Sequence, residues 1–129
     1  MADFATSIIR TVALVGHGGA GKTSLAEALL AKAGAIPLAG SVEKGTTVCD
    51  FEPLERQYGH SLQSAQANLE REGRRIYVTD TPGMPDFASQ SIAALCAADT
   101  ALIVIDAQAG VQLMAERMMR MAAARGMCR

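Results

Sequence analysis

The sequence predicts one α/β domain in which a mostly parallel sheet lies between two layers of helices. Three short runs of β-branched and aliphatic residues are apolar almost throughout, which is typical of strands covered on both faces. Helical stretches separate these runs along the chain, as crossovers between parallel strands require. A chain of 129 residues, half of them hydrophobic and 19% charged, is long enough for one such domain and too apolar for a disordered tail.

The predicted strands and helices alternate along the chain. Strands are expected at 11–15, 75–79 and 100–105. Helices are expected at 22–32, at about 87–97 and at 111–125. The first and third helices run into Gly34 and Gly126, and glycine commonly follows a helix C-terminus. A weaker strand candidate at 61–69 is expected to pair antiparallel with the next strand through the charged turn at 70–74.

A long segment from Gly34 to Gly59 interrupts this alternation. It contains glycines and prolines at irregular spacing and shows no helical or strand periodicity. An irregular stretch of this length inside a compact domain is usually functional or mobile. The sequence therefore predicts a functional loop between the first helix and the weak strand candidate.

Composition excludes several classes of protein. Twelve basic and thirteen acidic residues exclude a nucleic-acid binder that works by bulk positive charge, and no direct DNA binding is expected. The three cysteines, Cys49, Cys96 and Cys128, form no CxxC pair, which favours reduced thiols in a cytoplasmic protein. The N-terminus lacks the basic start of a signal peptide, and no apolar run reaches the roughly 20 residues that span a bilayer. No membrane association is expected.

The strongest functional signal is a glycine-rich run before the first predicted helix. It consists of Gly16, His17, Gly18, Gly19, Ala20, Gly21, Lys22 and Thr23. The run matches G-x-x-x-x-G-K-[ST] and lies between a strand and a helix, so its main-chain amides and the helix N-terminus form an anion cradle. Lys22 is expected to reach the β- and γ-phosphates, and the Thr23 hydroxyl to ligate Mg²⁺. The sequence thus predicts a three-layer sandwich of the P-loop NTPase type.

The second signal is Asp80-Thr-Pro-Gly83, at the end of a buried strand. In a parallel sheet the carboxyl ends of neighbouring strands lie at one edge, so this turn is expected beside the phosphate loop. There, Asp80 would hold Mg²⁺ through water, and the Gly83 amide would approach the γ-phosphate.

Four motifs in this order resemble the G domain of translational GTPases, and most closely that of elongation factor G and its elongation-factor-G-like paralogues. They are the phosphate loop, 50–59, 80–87 and 106–112. The resemblance covers almost the whole chain. It implies GTP binding with Mg²⁺, the ribosome as partner, and two nucleotide-sensing switch segments, at about 34–61 and 80–90.

Some positions of this sequence match the family's site residues, and others differ from them. The phosphate loop, Asp80 and Gly83 match directly, except that Gly19 stands where the family usually has an aspartate associated with the phosphate site. Ser61 stands where the family has a threonine that ligates Mg²⁺, so the metal ligands that the resemblance implies are Thr23, Ser61 and Asp80.

The main departure from the family is Met84. The family reads Asp-Thr-Pro-Gly-His, and that histidine orients the attacking water, whereas a thioether is only a weak acceptor. Loss of this group is expected to slow hydrolysis and spare nucleotide binding, because phosphoryl transfer depends on positioning and electrostatics. His60 is another imidazole in the first switch, but a solvated loop position is favoured for it.

The Asn-Lys-x-Asp motif, on which guanine specificity in this superfamily rests, does not occur in the sequence. We therefore expect the front portion of a G domain with its C-terminal strands missing, and the preference for GTP over ATP comes from the resemblance alone. Two alternatives stay open: an ATP-using phosphotransferase, and an interaction module that binds nucleotide without hydrolysing it.

Overall fold

The structure, a computed structural model, describes residues 5–129, and these form a four-stranded sheet with helices on both faces. The strands are β1 (Ile9–Gly16), β2 (Ala65–Arg71), β3 (Arg74–Asp80) and β4 (Thr100–Val104). The helices are α1 (Lys22–Lys32), α2 (Pro53–Tyr58), α3 (Ala88–Cys96) and α4 (Leu113–Ala124). Single turns of 3₁₀ helix lie at Thr6–Ile8 and Pro85–Phe87.

The strand order is β2-β3-β1-β4, and β1 pairs in parallel with both β3 and β4. Strand β2 is antiparallel to β3, and a two-residue turn joins the two strands. The predicted mostly parallel α/β sheet is confirmed. The antiparallel candidate is confirmed as well, but β2 begins at Ala65 rather than at Ser61, since the residues between them belong to the loop that packs near α2.

Two apolar clusters cover the two faces of the sheet, because alternate residues of β1 point in opposite directions. On one face α1 packs on Leu14 and Val78 through Ala26 and Leu30. On the other face α3 and α4 cover β1 and β4. That cluster includes Ala13, Val15, Leu95, Ala101, Met114 and Met118. The predicted three layers are therefore present.

The irregular segment at 34–59 contains a short helix, α2, that the sequence reasoning missed. Pro53 occupies its first turn, where proline is well tolerated because no intrahelical N–H bond is lost. The Glu52 amide donates to the Glu55 carboxylate (3.1 Å), and Gly59 ends the helix with a φ of 68°. Six residues with one buried position are too few to show an apolar period, so no sequence pattern indicated this helix.

The outer side of β4 carries one further contact. Cys128 pairs in parallel with Thr100, and the Ala101 amide donates to the Cys128 carbonyl (2.9 Å). Within residues 5–129 there is no helix that is both long and apolar enough to cross a bilayer.

Candidate functional site

The glycine-rich run forms a tight loop between β1 and α1. Gly16 has a φ of 151°, and a β-carbon there would collide with the Val104 carbonyl of the neighbouring strand. Gly19 and Gly21 have φ values of 78° and 91°, in the left-handed region that favours glycine. Position 16 therefore has no room for a side chain, whereas positions 19 and 21 adopt a backbone conformation that glycine takes without strain. The loop leads directly into the first turn of α1.

Lys22 is nearly buried at this turn, with 6% of its surface exposed. Its Nζ donates a hydrogen bond to the His17 carbonyl of the loop (2.7 Å). Burial lowers the pKa of Lys22, and the Asp80 carboxylate partly offsets this effect. The ammonium group thus lies directly at the loop, as expected for a group that binds phosphate.

The structure brings the three predicted metal ligands together. Thr23 Oγ1 donates to Asp80 Oδ2 (2.6 Å), and Ser61 Oγ lies 3.4 Å from Thr23 Oγ1. These side chains come from the first turn of α1, the end of β3 and the loop after α2. Residues far apart in sequence therefore converge on one cluster of oxygen atoms.

Asp80 gives this cluster its distinctive electrostatics. The side chain is 2% exposed, and its Oδ1 has no hydrogen-bond partner within the part of the chain that the structure describes. Burial raises the pKa of Asp80 to about 6, with Asp50 adding to the rise and Thr23 and Lys22 opposing it. A buried carboxylate oxygen beside two hydroxyl groups fits a cation that prefers oxygen ligands, such as Mg²⁺.

Asp50 belongs to the same cluster, although the sequence analysis predicted no role for it. It is 3% exposed; its Oδ1 accepts a hydrogen bond from the Ser61 hydroxyl (2.8 Å) and its Oδ2 one from Thr47 (2.9 Å). Asp50 therefore fixes the side chain that approaches Thr23. The only sequence feature that could have drawn attention to Asp50 is its place at the start of the 50–59 motif. Nothing in that motif indicated a contact with Ser61.

A cavity of about 150 Å³ lies over these groups, between the phosphate loop and the two predicted switch segments. It is lined by Gly18, Gly19, Gly21, Lys22, Thr23, Ser24, Val42, Asp50, Gly59, His60, Ser61, Thr81, Gly83 and Met84. The other predicted site residues, Gly16, His17, Ala20 and Asp80, are not part of this lining. The first three belong to the loop itself, and Asp80 is buried beside Thr23.

The turn after β3 packs directly on the phosphate loop. A β-carbon at Gly83 would collide with the Gly18 nitrogen, the His17 carbonyl carbon and Lys22 Nζ. The thioether of Met84 lies against Gly18, with its sulfur 3.0 Å from where a β-carbon of that residue would be. Met84 therefore closes one side of the cavity with an apolar side chain.

A solvated loop position was favoured for His60, and in the structure the residue is half-buried. It lines the cavity, its Nδ1 is buried without a partner among the described residues, and its ring stacks on Tyr58 (centroids 6.0 Å apart, planes at 15°). Gly59 ends α2 with a φ of 68°, and His60 follows directly at the edge of the cavity.

Comparison with known proteins identifies the family of this domain. The profile of the elongation factor Tu GTP-binding domain matches residues 7–129. This chain belongs to that family of translational GTPase domains. An elongation factor G-like protein from Mycobacterium tuberculosis is 48% identical over 103 residues, which are 80% of this chain and 14% of the relative. One from Thermotoga maritima is 38% identical over 114 residues, 88% of this chain and 16% of the relative.

A crystal structure of a protein from Thermus thermophilus has the same fold as this translational GTPase domain. The TM-score is 0.89 with 45% sequence identity, and the match covers 94% of this chain and 18% of that one. The chain thus spans less than a fifth of the length of these three proteins. The predicted family and fold class are confirmed.

Proposed function

We propose that this domain binds GTP with Mg²⁺ as the nucleotide switch of a translation factor of the elongation-factor-G-like type, and that it hydrolyses GTP slowly. The proposal depends mainly on one observation: the side chains of Thr23, Ser61 and Asp80 lie together beside a phosphate loop. Two relatives named as elongation factor G-like proteins support the class of factor and, through the family resemblance, the ribosome as partner and a cytoplasmic location.

Each group at the site has a role in this proposal. The loop amides and Lys22 bind the phosphates, and the Gly83 amide approaches the terminal phosphate. Thr23 and Ser61 would hold Mg²⁺, with Asp80 acting through water, and the ion would neutralise charge on the β- and γ-phosphates. Because Ser61 and Gly83 lie in different switch segments, at about 34–61 and 80–90, loss of the terminal phosphate would release both segments.

Slow hydrolysis follows from the side chain at position 84. Met84 presents a thioether toward the cavity, and this group neither donates nor strongly accepts a hydrogen bond. Nucleotide binding does not need this side chain, since the phosphates contact the loop, Lys22 and the metal. We therefore expect tight binding and a low intrinsic turnover.

Calorimetric titration of the full-length gene product with GTP, GDP and ATP in the presence of Mg²⁺ tests the binding. We expect GTP and GDP to bind and ATP to bind much more weakly. Chelation of Mg²⁺ should lower the affinity for GTP. Equal affinity for ATP would favour a phosphotransferase. A folded protein that ignores all three nucleotides would contradict the proposal.

The role of position 84 is tested by Met84→His, with Met84→Leu as the matched control that adds no nitrogen. We expect Met84→His to increase phosphate release in the presence of ribosomes by about tenfold or more, while Met84→Leu leaves it near the wild-type rate. Affinity for GTP should change little in either variant. Equal rates for all three proteins would refute this explanation of slow hydrolysis.

A further inference from the structure

We infer that His60 positions the attacking water for the residual hydrolysis of GTP by this domain. The inference rests on the proposed function, and it assigns to the first switch a role that Met84 cannot perform from the second. His60 lines the same cavity as Lys22, Ser61 and Gly83, the groups proposed to bind the terminal phosphate and its metal.

The polar side chains around the cavity leave few alternatives. Seven of the described lining residues have polar side chains, and five of these are already hydrogen-bonded within the protein. The five are Lys22, Thr23, Asp50, Ser61 and Thr81. Ser24 is exposed on the first turn of α1. His60 is the remaining one, and its Nδ1 is buried without a partner among the described residues.

Two contacts limit the movement of His60. Its ring stacks on Tyr58 with the planes only 15° apart, which restricts rotation about the side chain. Its backbone follows Gly59 and precedes Ser61, whose hydroxyl is held by Asp50 (2.8 Å). These contacts favour one region of space for the imidazole beside the cavity, as a water-positioning role requires.

The reaction balances without any further reactant. The water oxygen forms a bond to the γ-phosphorus, and the bond from that phosphorus to the β–γ bridging oxygen breaks. The products are GDP and inorganic phosphate; one water proton stays on the phosphate and the other passes to solvent. His60 accepts a hydrogen bond from the water, orients its lone pair toward phosphorus and leaves the cycle unchanged.

Two substitutions separate positioning from packing. His60→Phe keeps an aromatic ring against Tyr58 and removes both nitrogens, whereas His60→Gln loses the ring and keeps a group that can orient water. GTP affinity is measured with a fluorescent GTP analogue. Phosphate release is measured in single-turnover experiments on the full-length gene product, with and without ribosomes.

We expect His60→Phe to lower the single-turnover rate by about tenfold or more, with GTP affinity within about threefold of wild type. His60→Gln should retain a rate within about threefold of wild type. If packing against Tyr58 were the role of His60, the order of the two variants would reverse. In the Met84→His background, His60→Phe should lower the single-turnover rate by a smaller factor, because a second imidazole is then available.

The outcomes that overturn the inference differ from those that overturn the proposed function. Equal rates for wild type and both variants, or equal losses in both, would exclude His60 as the water-positioning group. A wild-type rate no faster than GTP in buffer would exclude it as well. Absence of GTP binding by the wild-type protein would contradict the proposed function itself.

Discussion

At Gly83 the second predicted switch packs closely against the phosphate loop. Its α-carbon leaves no room for a side chain, since a β-carbon would meet two main-chain atoms of the loop and Lys22 Nζ. Backbone atoms cannot move aside as the end of a flexible side chain can. Any larger residue must therefore displace either the turn or the loop.

Gly83→Ala is expected to weaken GTP binding by at least about tenfold, because the displaced turn no longer presents its amide beside Lys22. Gly110→Ala is the matched control: Gly110 has a φ of 70°, and a β-carbon there meets nothing within 4 Å. That control should lose about 1 kcal/mol of stability from the left-handed backbone and keep its GTP affinity. Calorimetry and denaturant unfolding of both variants check this expectation, and unchanged affinity in Gly83→Ala would contradict it.

The sequence predicted those site residues whose positions are fixed by a motif. It missed those whose positions are fixed by contacts between distant parts of the chain. The phosphate loop, Asp80 and Gly83 come together because strand ends in a parallel sheet share one edge. Asp50 and His60 lie on either side of a short helix, α2, that no periodicity revealed. Their partners lie on other elements, so spacing along the chain carried no information about them.

Helix α1 holds the irregular segment through one buried carboxylate. Glu27 is fully buried, and its two oxygens accept hydrogen bonds from the amides of Gly40 (2.8 Å) and Val48 (2.6 Å). These amides belong to a part of the chain that has no strand or helix of its own. The same helix that begins at the phosphate loop therefore anchors the segment leading to Ser61.

Glu27→Ala is expected to destabilise the domain by about 2–4 kcal/mol, because it removes two hydrogen bonds to a charged group and leaves two amides unpaired. Hydrogen exchange at residues 40–48 should accelerate more than elsewhere. Glu116→Ala on α4 is the control, since Glu116 is exposed and pairs only with Arg120 in the described structure; little change is expected there. Uniform acceleration across the domain would contradict a local role for Glu27.

The elements themselves were largely predictable. Continuous apolar runs predicted β1, β3 and β4, because strands buried on both faces need no polar residues. Helices α1, α3 and α4 were predicted from the helical stretches that lie between and after these runs. Helix α2 was not predictable, because only Glu55 of its six residues is buried and that residue is charged. Its carboxylate accepts hydrogen bonds from the Leu62 and Gln63 amides (2.9 and 3.1 Å), which depend on the tertiary fold.

Within residues 5–129, the buried charged side chains are four carboxylates and one ammonium group, that of Lys22. Glu27 and Glu55 are satisfied by backbone amides, and Asp50 by hydroxyls, whereas Asp80 keeps an oxygen without a hydrogen-bond partner among the described residues. The Thr23 hydroxyl and Lys22 compensate this buried charge only in part, and the remainder disfavours the folded state in the absence of metal. The proposed Mg²⁺ site thus coincides with the point at which the fold bears an electrostatic cost.

This cost makes stability of the metal-free protein depend on pH. The pKa of Asp80 is raised from 3.8 to about 6, so the folded state holds a proton that the unfolded state releases. Stabilisation from this proton is complete below about pH 4 and is lost as pH rises through 6. Between pH 5 and 7.5 the contribution of Asp80 to the free energy of unfolding should fall by about 1 kcal/mol.

Asp80→Asn should remove this part of the pH dependence, because the amide carries no charge at either pH. Asp86→Asn, at an exposed position six residues further along, is the control and should behave like wild type. Denaturant unfolding in the presence of a chelator at the two pH values measures the difference. An Asp80→Asn profile parallel to that of wild type would contradict the assignment.

The contact between Met84 and Gly18 has an evolutionary consequence. Because the sulfur lies 3.0 Å from where a β-carbon at position 18 would be, a side chain there would press on the flexible end of Met84 and displace it by a few tenths of an ångström. Alanine at 18 is accommodated by a small shift of the side chain at 84, whereas a larger residue at 18 requires a shorter or redirected side chain there. We therefore expect these two positions to covary among homologues, with glycine at 18 accompanying long, flexible residues at 84.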